Sequence, residues 1–289
     1  MKLLKIWIQA ARPKTLIASI SPVLIASAMA LKAGSFDFAL FVILLLCNMG
    51  IQISCNIAND YFDFLKGADR PERLGPMRVM QAGLVNIGTM QRMILFSMAV
   101  TACLGIYIVV KGGLFFALLL AVALSLALLY TAGPFSLAYL GLGDLFVLLF
   151  FGPVSTCATF YLFCKALPAY VILASLAPGL LSTAILICNN LRDEAEDHKS
   201  RKKTLIVRFG NRFGKMEFAL CVSLALLLPM LLLRGHSMVS LMCLLWPAGY
   251  LLIRQVIKNS SAVTYNLYLQ QSAQLLWVYT FLFAFSWMI

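Results

Sequence analysis

The chain has 289 residues; 62% are hydrophobic, only 12% are charged, and the mean hydropathy is +0.92. Such a composition excludes a disordered protein and a water-soluble globule, and it implies a polytopic membrane protein. The net charge of +12 comes from 23 basic and 11 acidic residues. Because the basic residues cluster between apolar runs, the excess reads as a positive-inside signature and not as a nucleic-acid footprint.

In chain order, Met1–Trp7 is too short for a cleaved leader, and Arg12 and Lys14 interrupt before an apolar region can form. Residues Leu3–Ala11 are expected to form a short helix on the membrane surface, with Lys2 and Lys5 at the lipid headgroups. A helix needs about 20 apolar residues to cross a bilayer. That window predicts nine spans, at about 14–33, 36–58, 89–110, 113–131, 143–164, 170–190, 215–233, 237–256 and 269–288. The expected architecture is an all-α bundle of nine transmembrane helices in one domain, 1–289, with a central cavity opening at the cytoplasmic side. Only Lys111-Gly112-Gly113 separates the third and fourth spans, which predicts a tight hairpin. Pro22, Pro153, Pro178, Pro229 and Pro247 fall inside spans and are expected to kink them. With the N-terminus inside, nineteen lysines and arginines fall on the cytoplasmic side and four on the other. The eight cysteines sit in or beside apolar runs without a CxxC pair and read as small apolar filler.

No predicted span carries a charge near its centre, unlike most pumps and ion-coupled transporters. Eight of the eleven acids instead lie in two short segments, each at the cytoplasmic end of an even-numbered span. The first runs from Asn59 to Glu72 and carries Asp60, Asp63, Asp69 and Glu72; the second runs from Asn189 to Asp197 and carries Asp193, Glu194, Glu196 and Asp197. Asn59 and Asp63 are spaced i,i+4, while Asn190, Asp193 and Asp197 step by three and then four, which puts each set on one helical face. Asn48, Gln52, Asn56 and Asp60 form a polar stripe at four-residue steps, expected to face a polar cavity. The plain reading is two solvated acidic loops paired with nearby arginines. The competing reading is a shared cation. Clustered oxygen ligands beside basic residues suit Mg²⁺ with a diphosphate, because Mg²⁺ takes one or two carboxylates, keeps several waters and bridges phosphate oxygens. Lys66, Arg70, Arg73 and Arg78, then Lys199, Arg201, Lys202 and Lys203, are the basic candidates for the phosphate oxygens. Asp144 either points into the same cavity or merely ends a loop.

Four ordered stretches carry a resemblance. They are Arg12-Pro13-Lys14-Thr15-Leu16 leading to Ser21-Pro22-Val23-Leu24; Asn59-Asp60-Tyr61-Phe62-Asp63 through Gly67-Ala68-Asp69 to Leu74-Gly75-Pro76-Met77-Arg78; Tyr130-Thr131-Ala132-Gly133-Pro134 through Tyr139 to Gly141-Leu142-Gly143-Asp144; and Asn189-Asn190-Leu191-Arg192-Asp193 through Lys203-Thr204-Leu205 to Gly210. Together they resemble the UbiA-type intramembrane aromatic prenyltransferases over nearly the whole chain, and most of all the naphthoate-prenylating, menaquinone-pathway branch. That resemblance implies transfer of a polyprenyl group from a polyprenyl diphosphate to an aromatic acid, with Mg²⁺ as cofactor. In the naphthoate branch the acceptor is 1,4-dihydroxy-2-naphthoate, which loses CO₂ and gives demethylmenaquinone. The expected place is the cell inner membrane, with a lipid-borne tail entering from the bilayer.

By the resemblance, Asn59, Asp63, Asp193 and Asp197 are the first metal ligands and Asp60, Asp69 and Asn190 the second, with Asp63 and Asp193 essential to turnover. Lys66, Arg70, Arg73, Arg78, Lys199, Lys202 and Lys203 are the expected diphosphate contacts. Gln52, Asn56, Tyr130 and Tyr139 are the expected walls of the aromatic and cation pocket. Tyr61, Phe62, Tyr130 and Tyr139 also suit an interfacial belt, and both readings stay open. Three positions depart from the family pattern: Arg201 and Ala132 stand where Gly is common, and Asp144 where Glu is common. The rival readings are the same transfer to another aromatic acid, such as 4-hydroxybenzoate, and secondary transport of an anionic solute.

Overall fold

The computed structural model describes residues 2–68, 74–133, 136–232 and 239–289, and every regular element among them is helical. Twelve α-helices follow in chain order: α1 (Lys2–Ala11), α2 (Ile17–Lys32), α3 (Phe38–Leu65), α4 (Ile87–Gly112), α5 (Leu114–Leu129), α6 (Leu137–Leu140), α7 (Gly143–Leu149), α8 (Ser155–Cys164), α9 (Ala169–Lys199), α10 (Leu205–Leu232), α11 (Trp246–Lys258) and α12 (Tyr265–Met288).

Six of the described segments are long and apolar enough to cross a membrane: α3, α4, α7 joined to α8, α9, Leu205–Met230 and Leu241–Lys258. The pair Leu4–Thr15 and Ile17–Lys32, bent by 58°, makes a seventh if taken as one span. α5 is apolar but has 16 residues, about 24 Å at 1.5 Å each, against a hydrocarbon core of about 30 Å. α12 is long enough, but its first half carries Asn266, Gln270, Gln271 and Gln274. Large apolar side chains stand on the outward faces: Leu95, Phe96 and Val110 on α4, Leu114 and Phe115 on α5, and Phe281 and Phe285 on α12 are exposed. Apolar patches of that extent mark a surface that meets lipid rather than water.

α9 is the most enclosed of the spans and packs against α10, α12, α7, α2 and α8. Its contact with the α7–α8 segment is backbone to backbone. A methyl group on Gly152 would lie 2.8 Å from the Ser175 carbonyl oxygen, and one on Gly179 would collide with the Leu148 carbonyl. Small residues permit such close approach between membrane helices, where packing rather than hydrophobic expulsion drives association. Pro153 sits in a π-helical turn at Phe150–Val154, whose Gly152 leaves helical geometry. Pro22, Pro178 and Pro229 lie inside α2, α9 and α10. Pro247 instead falls in the first turn of α11, where the missing N–H has no partner to lose. Gly113 bridges α4 and α5 with φ of 75°, making the tight hairpin.

Two helices run well past their apolar windows. α3 continues to Leu65 and α9 to Lys199, because helical hydrogen bonding is indifferent to where the apolar residues stop. Both acidic segments therefore ride on helical turns. A second apolar cluster joins Ala10 of α1, Ile57, Ala58 and Tyr61 of α3, Val79 and Met80, and Met90 and Met93 of α4. It pins the segment after α3 back against that helix's final turns.

Candidate active site

The polar stripe of α3 divides as it climbs. A helix turns about 100° per residue, so each four-residue step drifts about 40°. Gln52 and Asn56 line an apolar cavity, and Asn48 lines a neighbouring one. Gln52 donates to Asn56 at 3.3 Å, and Asn56 donates to the Ala11 carbonyl at 2.9 Å and to Thr15 at 3.2 Å. Asp60 lies about 120° round from Asn48 and faces away. Its carboxylate accepts from the backbone N–H of Val79 at 3.0 Å and of Met80 at 3.4 Å. Asp60 thus anchors the segment after α3, and its oxygens are spent on backbone. Asn59, about 20° round from Asn48, stays on the cavity side.

Asp63 is fully buried and collects cations. Its Oδ2 accepts from Arg78 Nη2 at 2.9 Å and from Lys202 Nζ at 3.0 Å, and its Oδ1 accepts from the Tyr139 hydroxyl at 3.2 Å. Arg78 also donates to the Asn59 carbonyl at 3.0 Å, so one guanidinium holds both residues of the α3 motif. Burial, then the negative field of Asp63, hold the Tyr139 hydroxyl well above its ordinary pKa, which keeps it protonated and donating. Its ring faces two ammonium groups, Lys66 at 3.9 Å and Lys202 at 5.2 Å from the centroid. Tyr139 is therefore a residue of this cluster. Tyr61 is buried in the second apolar cluster, where its hydroxyl accepts from Gln91.

On α9, Arg192 grips Asp193 with both edges, Nε to Oδ1 at 2.6 Å and Nη2 to Oδ2 at 2.7 Å. It also donates to Asn189 at 2.7 Å and to Asn266 at 2.9 Å. Asn266 in turn donates to the Leu74 carbonyl at 2.9 Å, which ties α9 and α12 to the segment that carries Arg78. Lys202 lies 3.0 Å from Asp63 and 3.8 Å from Asp197 Oδ1, so one ammonium spans the two acidic motifs.

Among these groups lies a polar cavity of about 70 Å³, lined by Arg12, Asn59, Arg78, Tyr130, Asp144, Asn189, Asn190, Asp193, Asp197 and Lys202 among others, while Asp63, Tyr139 and Arg192 are outside its lining. Beside it lies a mostly apolar cavity of about 200 Å³, with Phe146, Phe150 and Phe151 in its wall. Arg12, Asn59, Tyr130, Leu186 and Asn189 line both, so the two cavities share a wall.

Several expected residues stand elsewhere. Lys66 donates to the carbonyls of Thr131 at 2.6 Å and Gly133 at 2.9 Å and to Ser136 at 3.2 Å. An ammonium has three donors, so Lys66 clamps the turn after α5 and has none left for a phosphate. Burial also pulls its pKa below the ordinary lysine value. Lys199 and Lys203 have exposed side chains outside the cavity lining. The Lys203 backbone instead bonds Tyr139, its N–H reaching that carbonyl at 3.1 Å. Asp69, Arg70 and Arg73 lie outside the described residues. The sequence reading missed Arg12, Arg192 and Asn266 as site residues. In sequence, Arg12 and Arg192 read as part of the positive-inside excess, although Arg12 precedes Pro13-Lys14 and Arg192 adjoins Asp193. Nothing in the polar half of α12 marked Asn266.

Among the described residues no three acid, cysteine or histidine side chains converge closely enough to form a ready-made metal cage. The donor set still fits Mg²⁺ in kind. Asn59, Asn190, Asp193 and Asp197 line the polar cavity as hard oxygen donors, Asp63 lies behind Arg78 and Lys202 beside it, and Mg²⁺ needs only one or two carboxylates per ion beside phosphate and water. Lys202 already holds positive charge between the two motifs, which marks the electrostatic demand there.

Comparison with known proteins agrees with this geometry. The profile of the UbiA prenyltransferase family matches residues 19–264. The chain is 37% identical over 232 residues to 1,4-dihydroxy-2-naphthoate octaprenyltransferase of Haemophilus influenzae, covering 78% of this chain and 75% of that one. It is 36% identical over 210 residues to the protein of the same name in Escherichia coli, covering 71% and 68%. The fold is similar to that of a UbiA homolog from Archaeoglobus fulgidus bound to DMAPP and Mg²⁺, with a TM-score of 0.66, 15% identity and 98% of each chain covered. A family match over most of the chain, joined to a polar site that abuts an apolar cavity, leads to one conclusion: the protein belongs to the UbiA prenyltransferase family.

Proposed function

We propose that the protein transfers a polyprenyl group from a polyprenyl diphosphate to 1,4-dihydroxy-2-naphthoate, with loss of CO₂, to give the hydroquinone form of demethylmenaquinone. The observation that carries this reading is the shared wall between the polar and apolar cavities. A diphosphate head needs the first and an isoprenoid tail the second. The names of the relatives support the naphthoate acceptor.

In this reading Asn59, Asp63, Asn190, Asp193 and Asp197 hold Mg²⁺, and Arg78 and Lys202 hold the diphosphate oxygens. When bound, the metal supplies neutralising charge for the departing diphosphate. Phe146, Phe150 and Phe151 keep water from the allylic carbon, which protects a developing cation from hydrolysis. Tyr139 and Tyr130 place π faces and hydroxyls at the same end of the site. Asp69, Arg70 and Arg73 complete the motif in the segment before Leu74. The protein forms one domain of nine spans, α5 and α12 included, in the inner membrane. Its N-terminus, the acidic helix tips and the mouth of the cavity face the cytoplasm, where the charged diphosphate is available.

Product analysis tests this. Membranes containing the protein receive Mg²⁺, a polyprenyl diphosphate and, in separate reactions, 1,4-dihydroxy-2-naphthoate or 4-hydroxybenzoate. Prenylated, decarboxylated naphthohydroquinone, or the quinone that air oxidation makes from it, from the first acceptor alone is the expected result. Product only from 4-hydroxybenzoate overturns the acceptor, and no prenylated product from any aromatic acid overturns the reaction.

A further inference from the structure

Asp144 stands in the first turn of α7, in the wall of the polar cavity. It is 5% exposed, and its Oδ1 is buried with no hydrogen-bond partner. Other carboxylates of this site are engaged: Asp63 by Arg78 and Lys202, Asp193 by Arg192, and Asp197 by Lys202. No described lysine or arginine pairs with Asp144. The titratable groups within its electrostatic reach are Tyr130, from the end of α5, and Glu217 and Cys221, from α10, and none of them supplies a cation. An acid in the first turn of a helix favours the local dipole. That accounts for a charge at this position but not for an oxygen left unbonded. Buried polar atoms nearly always find partners. An unspent acceptor in a cavity wall is a place for a ligand's donor.

We propose that Asp144 accepts a hydrogen bond from the acceptor hydroxyl next to the attacked carbon and carries that proton through the reaction. The inference rests on the acceptor proposed above. The Asp144 carboxylate takes the hydroxyl proton, and the O–H electron pair feeds the ring. The carboxyl-bearing ring carbon bonds to the allylic carbon as the bond from that carbon to the diphosphate oxygen breaks, and this bonding pair leaves with diphosphate. The ring is now a ketone whose alkylated carbon still holds the carboxylate. Loss of CO₂ returns the C–C pair to the ring, and the ketone oxygen takes the proton back from Asp144. No net proton is consumed or released. A buried carboxylate outside any ion pair suits that cycle, because it returns to its starting state after each turnover.

The test compares the wild type with Asp144→Asn and Asp144→Glu on two acceptors. One is 1,4-dihydroxy-2-naphthoate. The other is its 1-methyl ether, which can be attacked and decarboxylated but has no proton to give at that oxygen. Asp144→Asn is expected to lower kcat on the dihydroxy acid about 100-fold, the scale of general base catalysis, with the KM for polyprenyl diphosphate within about twofold of the wild type. Asp144→Glu is expected to recover part of the rate. On the methyl ether, wild type and Asp144→Asn are expected to be equally slow. An equal fold loss on both acceptors overturns the proton role, because a structural defect does not distinguish them. Retention of more than half of kcat on the dihydroxy acid overturns it as well. A wild type inert toward 1,4-dihydroxy-2-naphthoate overturns the acceptor assignment instead.

Discussion

Lys202 places its ammonium 3.0 Å from Asp63, a carboxylate 139 residues earlier in the chain, and 3.8 Å from Asp197 on the neighbouring helix. The two acidic motifs are thus held in one electrostatic unit by a side chain from neither helix. Lys202→Ala is expected to raise the KM for polyprenyl diphosphate about tenfold, the loss of one charge-assisted contact. It is also expected to lower the Mg²⁺ concentration needed for half-maximal rate, because a competing cation is gone. Steady-state kinetics in titrated Mg²⁺ checks both. An unchanged diphosphate KM would mean that Lys202 serves only the resting fold.

Neighbouring aspartates should separate by function. Asp63→Asn and Asp193→Asn are each expected to abolish turnover while leaving membrane insertion intact, and excess chelator should do the same to the wild type until Mg²⁺ is restored. Asp60→Ala should instead destabilise the protein by about 2–6 kcal/mol, the cost of leaving the two buried N–H groups of Val79 and Met80 unbonded. The enzyme that remains folded should keep its Mg²⁺ requirement. Thermal unfolding in detergent, measured beside turnover, distinguishes the two outcomes.

Arg201 adopts φ of 59°, a left-handed conformation that costs a side-chain-bearing residue about 1–2 kcal/mol. It closes the turn between α9 and Lys202. Arg201→Gly is expected to stabilise the protein by about 1 kcal/mol, seen as a rise in Tm, with the diphosphate KM unchanged. A lower Tm would show that the arginine side chain makes a contact worth more than the backbone strain.

Gly179 faces the Leu148 carbonyl across the α7–α9 contact with no room for a methyl group. Gly179→Ala should force these backbones apart and cost about 1–3 kcal/mol, as overpacking does in other cores. Phe146 and Phe150 flank this contact and line the apolar cavity, so the rate should fall with stability. A variant with wild-type Tm and rate would place the close approach outside the folding requirement.

The sequence by itself determined the helical, membrane-embedded character of the chain, because apolar runs of about 20 residues have few other ways to satisfy their backbone. It also located both acidic motifs and the shared face of Asn59 and Asp63, since helical spacing is a local property. Tertiary structure decided which charges meet. Lys66 and Lys202 look alike in sequence, yet one clamps a turn and the other joins Asp63 to Asp197. Asp60 and Asp63 are three residues apart, yet angular drift and the packing of Val79 and Met80 send one to backbone and the other to cations. Asn266 and Arg192 are 74 residues apart, and only the fold brings them to 2.9 Å. A hydrogen bond's partner depends on the position of another segment in space, and a linear pattern contains no such coordinate.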